Sequence, residues 1–128
     1  FGDPETEVVL PKLKSDLAQM MLYVLDNKEV KPEFHEEAFL GVVLAAKGYP
    51  GGYTKDIPLH DPAGLPQQVF CMGVKEADGQ LYSNGGRVLI VVGKGATLKE
   101  AQQDAYRGVA KMAHPDLFCR KDIGWQAL

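Results

Sequence analysis

The residues best suited to chemistry in this sequence are Asn84-Gly85-Gly86-Arg87. The guanidinium group of Arg87 is always charged and can offer a phosphate or a carboxylate two parallel hydrogen bonds. Gly85 and Gly86 have no Cβ, so a ligand could approach their backbone N–H groups closely. These residues therefore predict an anion-binding site. The alternative, which such a pattern more often reflects, is a β-bulge beside a surface arginine.

Two carboxylates, Asp3 and Glu5, flank Pro4 at the start of a predicted helix. Acidic side chains in that position favour a helix because they interact with the positive end of its dipole. Rigidly held carboxylates could instead receive the ammonium group of a ligand. The spacing of the two residues fits both interpretations equally.

No other pattern predicts a catalytic group or a metal ligand. His35 has no second histidine at helical spacing, and His60 and His114 lie near prolines in predicted loops, so no metal site is predicted. The segment Gly93-Lys94-Gly95-Ala96-Thr97 departs from the spacing of a phosphate-binding loop, and a turn into a capped helix accounts for its glycines. Catalytic residues therefore stay unassigned.

The N-terminal part of the chain predicts two helices. Glu5 to Leu10 forms the first, with Pro4 suited to its first turn and Pro11 ending or kinking it. Asp16 and Gln19 have the spacing of a capping box at the start of the second helix. The apolar residues of this second helix recur every three or four positions, and its methionines are interpreted as filling the core.

The remaining elements predict a sheet and a third helix. Ala38 to Ala46 is almost wholly apolar, which is typical of a buried strand, and Ile57 to Gln68 is a proline-rich loop. Thr97 to Glu100 is a capping box that begins a helix with one apolar face. The tail from Leu117 to Trp125 is expected to pack back on the sheet.

Between the loop and the third helix the sequence predicts a β-meander. Val69 to Val74 and Val88 to Val92 are strand-like, and Asp78-Gly79 tolerates the positive φ of a hairpin turn. This arrangement would carry Lys75 and Arg87 on neighbouring strands. Strands grouped between helices predict the α+β class, an antiparallel β-meander sheet with flanking helices.

Length and composition predict one compact domain and give no indication of binding to nucleic acid or to membranes. The chain has 128 residues and a net charge of −3, which gives no indication of nucleic-acid or membrane binding. Cys71 and Cys119 form no close pair, so a reduced cytosolic setting with two inert buried thiols is expected. Because the chain starts at Phe1 and runs straight into a helical pattern, we expect it to be a piece of a longer polypeptide.

Four motifs follow one another along the whole chain: Gly2-Asp3-Pro4-Glu5-Thr6, Gly48-Tyr49-Pro50-Gly51, Asn84-Gly85-Gly86-Arg87-Val88-Leu89 and Arg120-Lys121-Asp122-Ile123-Gly124. Together they resemble the phosphoribosylamine–glycine ligase family of the ATP-grasp superfamily, also called glycinamide ribonucleotide synthetases. Their joint occurrence makes the resemblance specific. One departure is Glu7, where the family usually has glutamine.

The resemblance implies an ATP-dependent ligase of cytoplasmic purine biosynthesis. Such enzymes use ATP with Mg²⁺ or Mn²⁺ to phosphorylate the glycine carboxylate, and the amine of 5-phosphoribosylamine then attacks the acyl phosphate, giving glycinamide ribonucleotide, ADP and phosphate. In the family, the metal ligands and the nucleotide-binding loop lie upstream of the position of Phe1, so this chain alone is expected to be inactive. Residues 1–27 would end the ATP-grasp core, and residues 28–128 would form the C-terminal domain.

The resemblance also implies roles for individual residues. The sugar phosphate would be contacted by Lys75 and by Gly86-Arg87, and Asn84 and Gly85 belong to the same motif as Gly86-Arg87. Asp3 and Glu5 would lie at the amine and acyl acceptor site. The implied partners are glycine, phosphoribosylamine and the upstream part of the same polypeptide, with no nucleic acid and no membrane. The alternative from another class is a free-standing α+β small-molecule-binding or regulatory module with the same anion pocket.

Overall fold

A computed structural model describes all 128 residues, Phe1–Leu128, as three α-helices and six strands. The helices are α1 (Thr6–Lys12), α2 (Leu17–Leu25) and α3 (Leu98–Lys111). The strands are β1 (Ala38–Ala46), β2 (Gln68–Cys71), β3 (Val74–Ala77), β4 (Gln80–Ser83), β5 (Arg87–Gly95) and β6 (Leu117–Phe118), and a 3₁₀ turn, Trp125–Ala127, ends the chain.

The main sheet has four antiparallel strands in the order β2-β5-β1-β6. Its centre is the long pair β1 and β5, in register from Ala38 opposite Gly95 to Leu44 opposite Leu89, with an irregularity before Ala45. Strand β1 is almost wholly apolar, and β5 is rich in valine and isoleucine, β-branched residues that fit a pleated and buried surface. The predicted α+β class with antiparallel strands and flanking helices is confirmed.

Helix α3 covers one face of this sheet and closes the core. Its Thr97 cap accepts a hydrogen bond from the Glu100 N–H at 3.2 Å, and Glu100 in turn accepts from the Ala96 N–H at 2.9 Å. The predicted apolar face is confirmed, because Ala101, Ala105, Val109 and Met112 are buried with Leu40, Val42, Leu44, Leu89 and Val91 of the sheet. Gly41, Val43 and Ala45, which alternate with these β1 residues, therefore point to the opposite face.

The strand connections differ from a simple meander. β2 pairs with β5, while β3 and β4 form a separate two-stranded hairpin whose Asp78-Gly79 turn has φ of 52° and 76°. The turn chemistry was predicted correctly, since both residues have the positive φ of a type I′ turn. The prediction that Lys75 and Arg87 lie on neighbouring strands is wrong, because Lys75 is on the hairpin and Arg87 begins β5.

The two N-terminal helices also differ in part from expectation. Pro4 lies in the turn before α1, and Pro11 lies inside the last turn of α1, which ends at Lys12. The Asp16 cap of α2 is confirmed, since its carboxylate accepts from the Gln19 N–H at 2.9 Å. However, α2 buries no residue, so its methionines do not fill the core of this chain.

Two further expectations concern the cysteines and the membrane. Both cysteines are free, but Cys71 is exposed and Cys119 only partly buried, so the prediction of two buried thiols is wrong. Burial raises the pKa of the Cys119 thiol, which nearby Lys121 lowers to a smaller extent. None of the helices combines the length and the apolar character that crossing a membrane requires.

Candidate functional site

The structure brings together two of the predicted site residues, Asp3 and Arg87, which are far apart in sequence. Nη1 of Arg87 donates to the backbone oxygen of Asp3 at 3.1 Å, and Nη2 donates to its carboxylate Oδ2 at 3.2 Å. The side chains of Arg87 and Asp3 are 38% and 45% exposed, respectively. Arg87 thus fastens the segment before α1 to the start of β5, and no hydrogen bond occupies the other carboxylate oxygen of Asp3.

The glycines beside Arg87 are explained by packing. A Cβ on Gly86 would collide with the ring of Tyr49, and a Cβ on Gly85 would lie 3.0 Å from the Cα of Gly73. Neither glycine has a positive φ. The close approach inferred from the sequence is therefore real, but the neighbours that approach are a ring and a backbone of the same chain.

A cavity of about 480 Å³ opens on the face of the sheet opposite α3, next to Arg87. Its wall includes Gly41, Val43 and Ala45 of β1, as expected from their alternation along the strand. The remaining lining is largely apolar, and it comes from the N-terminal segment, the glycine-rich turn and the tail: Pro4, Tyr49, Pro50, Phe118, Cys119 and Ile123. All four resemblance motifs thus contribute to this cavity, the third of them through Arg87.

A second arginine, Arg120, also lines this cavity. It comes from the tail motif, and the Asp122 carboxylate accepts from its Nε at 2.9 Å and from its Nη2 at 2.7 Å. The hydrogen bond from Arg120 lowers the pKa of Asp122 below its ordinary value of 3.8. Sequence reasoning did not assign Arg120 to the site, although its motif was part of the resemblance.

The structure does not bring the other predicted site residues to this cavity. Lys75 forms an ion pair with Asp56 on the side of the hairpin. Asn84 is exposed, and its N–H donates to the Gly73 oxygen at 2.7 Å. Glu5 caps α1 through its backbone oxygen without a side-chain hydrogen bond. Glu7, the departure from the family, has one carboxylate oxygen buried without a hydrogen-bond partner.

Two further features bear on metal and phosphate binding. The described chain contains no group of three or more His, Cys, Asp or Glu side chains that could hold a metal ion. At the start of α3, the amides of Ala96 and Glu100 are already occupied by Glu100 and Thr97. Gly93 and Gly95 lie in β5, where a Cβ on either would collide with α3, so packing explains these glycines as well.

Fold and cavity together define an α+β domain that presents arginine side chains at an apolar cavity. Residues 39–126 match the family described as "Phosphoribosylglycinamide synthetase, C domain". The chain belongs to this family, as the sequence motifs predicted.

Relatives of known sequence and structure agree with this assignment. The chain is 48% identical over 133 residues to phosphoribosylamine–glycine ligase of Halalkalibacterium halodurans and 47% identical over 136 residues to that of Escherichia coli K12. These matches cover 100% of the chain but only 30% and 31% of the two relatives. A crystal structure of phosphoribosylamine–glycine ligase from Thermotoga maritima superposes with a TM-score of 0.85 at 35% identity, covering 97% of this chain and 31% of that one.

Proposed function

We propose that this chain is the C-terminal part of an ATP-dependent ligase that joins glycine to 5-phosphoribosylamine in cytoplasmic purine biosynthesis. The observation that carries the proposal is the contact of Asp3 with Arg87 beside the cavity. It joins the first and third family motifs into one site, and the family and its relatives supply the reaction.

Asp3 and Arg87 would divide the recognition of the two substrates. Arg87 uses one N–H on each of two nitrogens for Asp3, and its guanidinium group has five N–H donors, so three remain for the phosphate of the sugar. The Asp3 oxygen without a hydrogen bond would accept from an ammonium group or a ribose hydroxyl. Glu5, Lys75, Asn84, Gly85 and Gly86 remain in the proposal as predicted substrate-contacting residues, without a contact in this structure that supports them.

ATP and Mg²⁺ or Mn²⁺ would bind to an upstream part of the same polypeptide. The support within this chain is the bare apolar face of α2, where Met21, Leu22, Val24 and Leu25 are 57%, 56%, 63% and 77% exposed. A contiguous exposed apolar surface of this kind marks an interface. The upstream part would cover α2, in agreement with the proposed boundary between residues 1–27 and the C-terminal domain.

A chimaeric ligase tests the proposed function. In the Halalkalibacterium halodurans enzyme, the matching C-terminal region is replaced by this chain, and ADP formation is measured with both substrates. We expect activity that depends on glycine and on phosphoribosylamine, whereas the truncated relative and the isolated 128-residue chain give none. A folded but inactive chimaera, or turnover by the isolated chain, would refute the proposal, and the former result would favour a free-standing binding module.

A further inference from the structure

A second arginine lines the cavity beside Arg87, whereas the sequence predicted a lysine as the neighbouring cation. Arg120 lines the cavity, and Lys75 does not. Lys75 is instead engaged by Asp56. The cation that accompanies Arg87 therefore comes from the C-terminal tail and not from the hairpin.

The backbone that carries Arg120 is fastened to α3 at both ends. The Tyr106 hydroxyl donates to the Arg120 oxygen at 2.7 Å and accepts from the Ile123 N–H at 3.2 Å. Nε2 of Gln102 donates to the Ile123 oxygen at 2.7 Å. Two side chains of a packed helix thus fix a short surface turn, although the Arg120 side chain itself is 67% exposed.

The orientation of the Arg120 guanidinium group is set by Asp122. The two hydrogen bonds to Asp122 use Nε and one N–H of Nη2, along one edge of the planar group. Three N–H donors of five remain, two of them on Nη1. A planar fork held in this way loses less rotamer freedom on binding a ligand than a free side chain would.

We propose that Arg120 is a second anion-binding residue of this cavity and contacts the phosphate of the sugar, and that Asp122 is its positioning residue. The inference rests on the proposed function, because that function supplies the phosphate ester. A phosphate presents three acceptor oxygens, which is enough for two arginines, and both Arg87 and Arg120 line the same cavity. Asp3 and Asp122 balance the two positive charges locally, so recognition depends on directed N–H donors rather than on excess charge.

The test measures binding of glycinamide ribonucleotide, the stable product of the proposed reaction, to a ligase that carries this chain. Arg120→Ala is expected to raise the Kd by about 10- to 100-fold, the loss of one or two charge-assisted hydrogen bonds. Arg120→Lys restores part of the affinity, because an ammonium group cannot form the planar fork. Lys121→Ala, a change of the neighbouring positive charge outside the cavity, leaves the Kd unchanged. Asp122→Asn gives an intermediate Kd, while the KM for ATP stays the same in all variants.

The outcomes separate this inference from the proposed function. If Arg87→Ala weakens binding but Arg120→Ala and Arg120→Lys bind like the unchanged ligase, the inference is refuted and the proposed function stands. If none of the arginine variants affects binding, the cavity is not the substrate site and the proposed function is refuted as well. If Lys75→Ala weakens binding and Arg120→Ala does not, Lys75 is the second cation. Thermal unfolding of each variant identifies any loss that comes from misfolding, and Arg120→Lys, which keeps the charge and the alkyl chain, then decides.

Discussion

Replacing Asp104 by asparagine should destabilise the chain in a manner that depends on pH. The Asp104 side chain is only 17% exposed and ties α3 to two other segments. Its Oδ1 accepts from Gln67 Nε2 at 2.8 Å and from Arg107 Nη2 at 2.9 Å, and its Oδ2 accepts from the Lys94 N–H at 3.1 Å. In the Asp104→Asn variant, one of these oxygens becomes an NH₂ group that faces a donor.

The expected magnitude follows from these contacts. Loss of a buried acceptor costs about 1–3 kcal/mol. For 128 residues, the entropy of unfolding makes 1 kcal/mol equivalent to about 4 °C, so the Tm should fall by about 4–12 °C at neutral pH. Asp122→Asn is the matched control, since it removes a carboxylate from an exposed pair with Arg120, and such pairs contribute little to stability.

The pH dependence has a definite sign. Burial raises the pKa of Asp104, but the hydrogen bonds from Gln67, the Lys94 N–H and Arg107 outweigh it, so the pKa lies below the ordinary value of 3.8. The carboxylate therefore stabilises the fold above that value, and this contribution is lost as the pH falls through the lowered pKa of the folded state. Thermal unfolding followed by circular dichroism from about pH 7 to about pH 3 should show the difference between the parent chain and the Asp104→Asn variant shrinking at the acid end. An equal difference at both ends would refute the argument that the charge matters.

Two further variants test the packing and the chemistry around Arg87. Gly86→Ala places a Cβ against the ring of Tyr49 and should destabilise by about 1–3 kcal/mol in an unfolding measurement, whereas Gly52→Ala, with no atom within 4 Å, should not. Arg87→Ala in the ligase should lower kcat/KM for phosphoribosylamine by about 10- to 100-fold, with Arg87→Lys recovering part. The Tm should change by only a few degrees, because the pair with Asp3 is exposed and such pairs are worth about 0.2–1 kcal/mol. A large loss of stability with unchanged substrate use would make Arg87 a structural residue.

The elements that the sequence predicted well are those whose pattern is local. Strand β1 matched its predicted bounds because eight of its nine residues are apolar and the ninth is glycine. Helix α3 followed from its cap and its periodic apolar face. The order of strands depends instead on pairings between distant segments. The Asp78-Gly79 turn correctly predicted a hairpin. No local sequence signal, however, indicates that β2 pairs with β5, which follows the hairpin, and not with a strand of the hairpin itself.

The sequence predicted individual residues of the candidate site, but it did not predict which of them lie together in the fold. The contact between Asp3 and Arg87 joins residues 84 positions apart, and both had been proposed separately as ligand-binding groups. The sequence predicts Lys75 beside Arg87 because a meander would make their strands neighbours, and the family resemblance implies that both residues contact the sugar phosphate. Because the hairpin forms a separate sheet, Lys75 does not reach the cavity. The tail, whose strand β6 pairs with β1, instead brings Arg120 to the cavity wall.

The glycines show why this correction changes the chemistry that is expected. From the sequence, Gly85 and Gly86 suggested that backbone N–H groups would bind the anion, an arrangement that tolerates changes of side-chain charge. Their lack of Cβ is instead explained by the close packing of Gly73 and Tyr49, and the charged donors that line the cavity are the side chains of Arg87 and Arg120. Each of these groups is held by a carboxylate, Arg87 by Asp3 and Arg120 by Asp122. Anion recognition would therefore depend on two ion pairs, and the acidic residues of the motifs would matter because they orient the arginines.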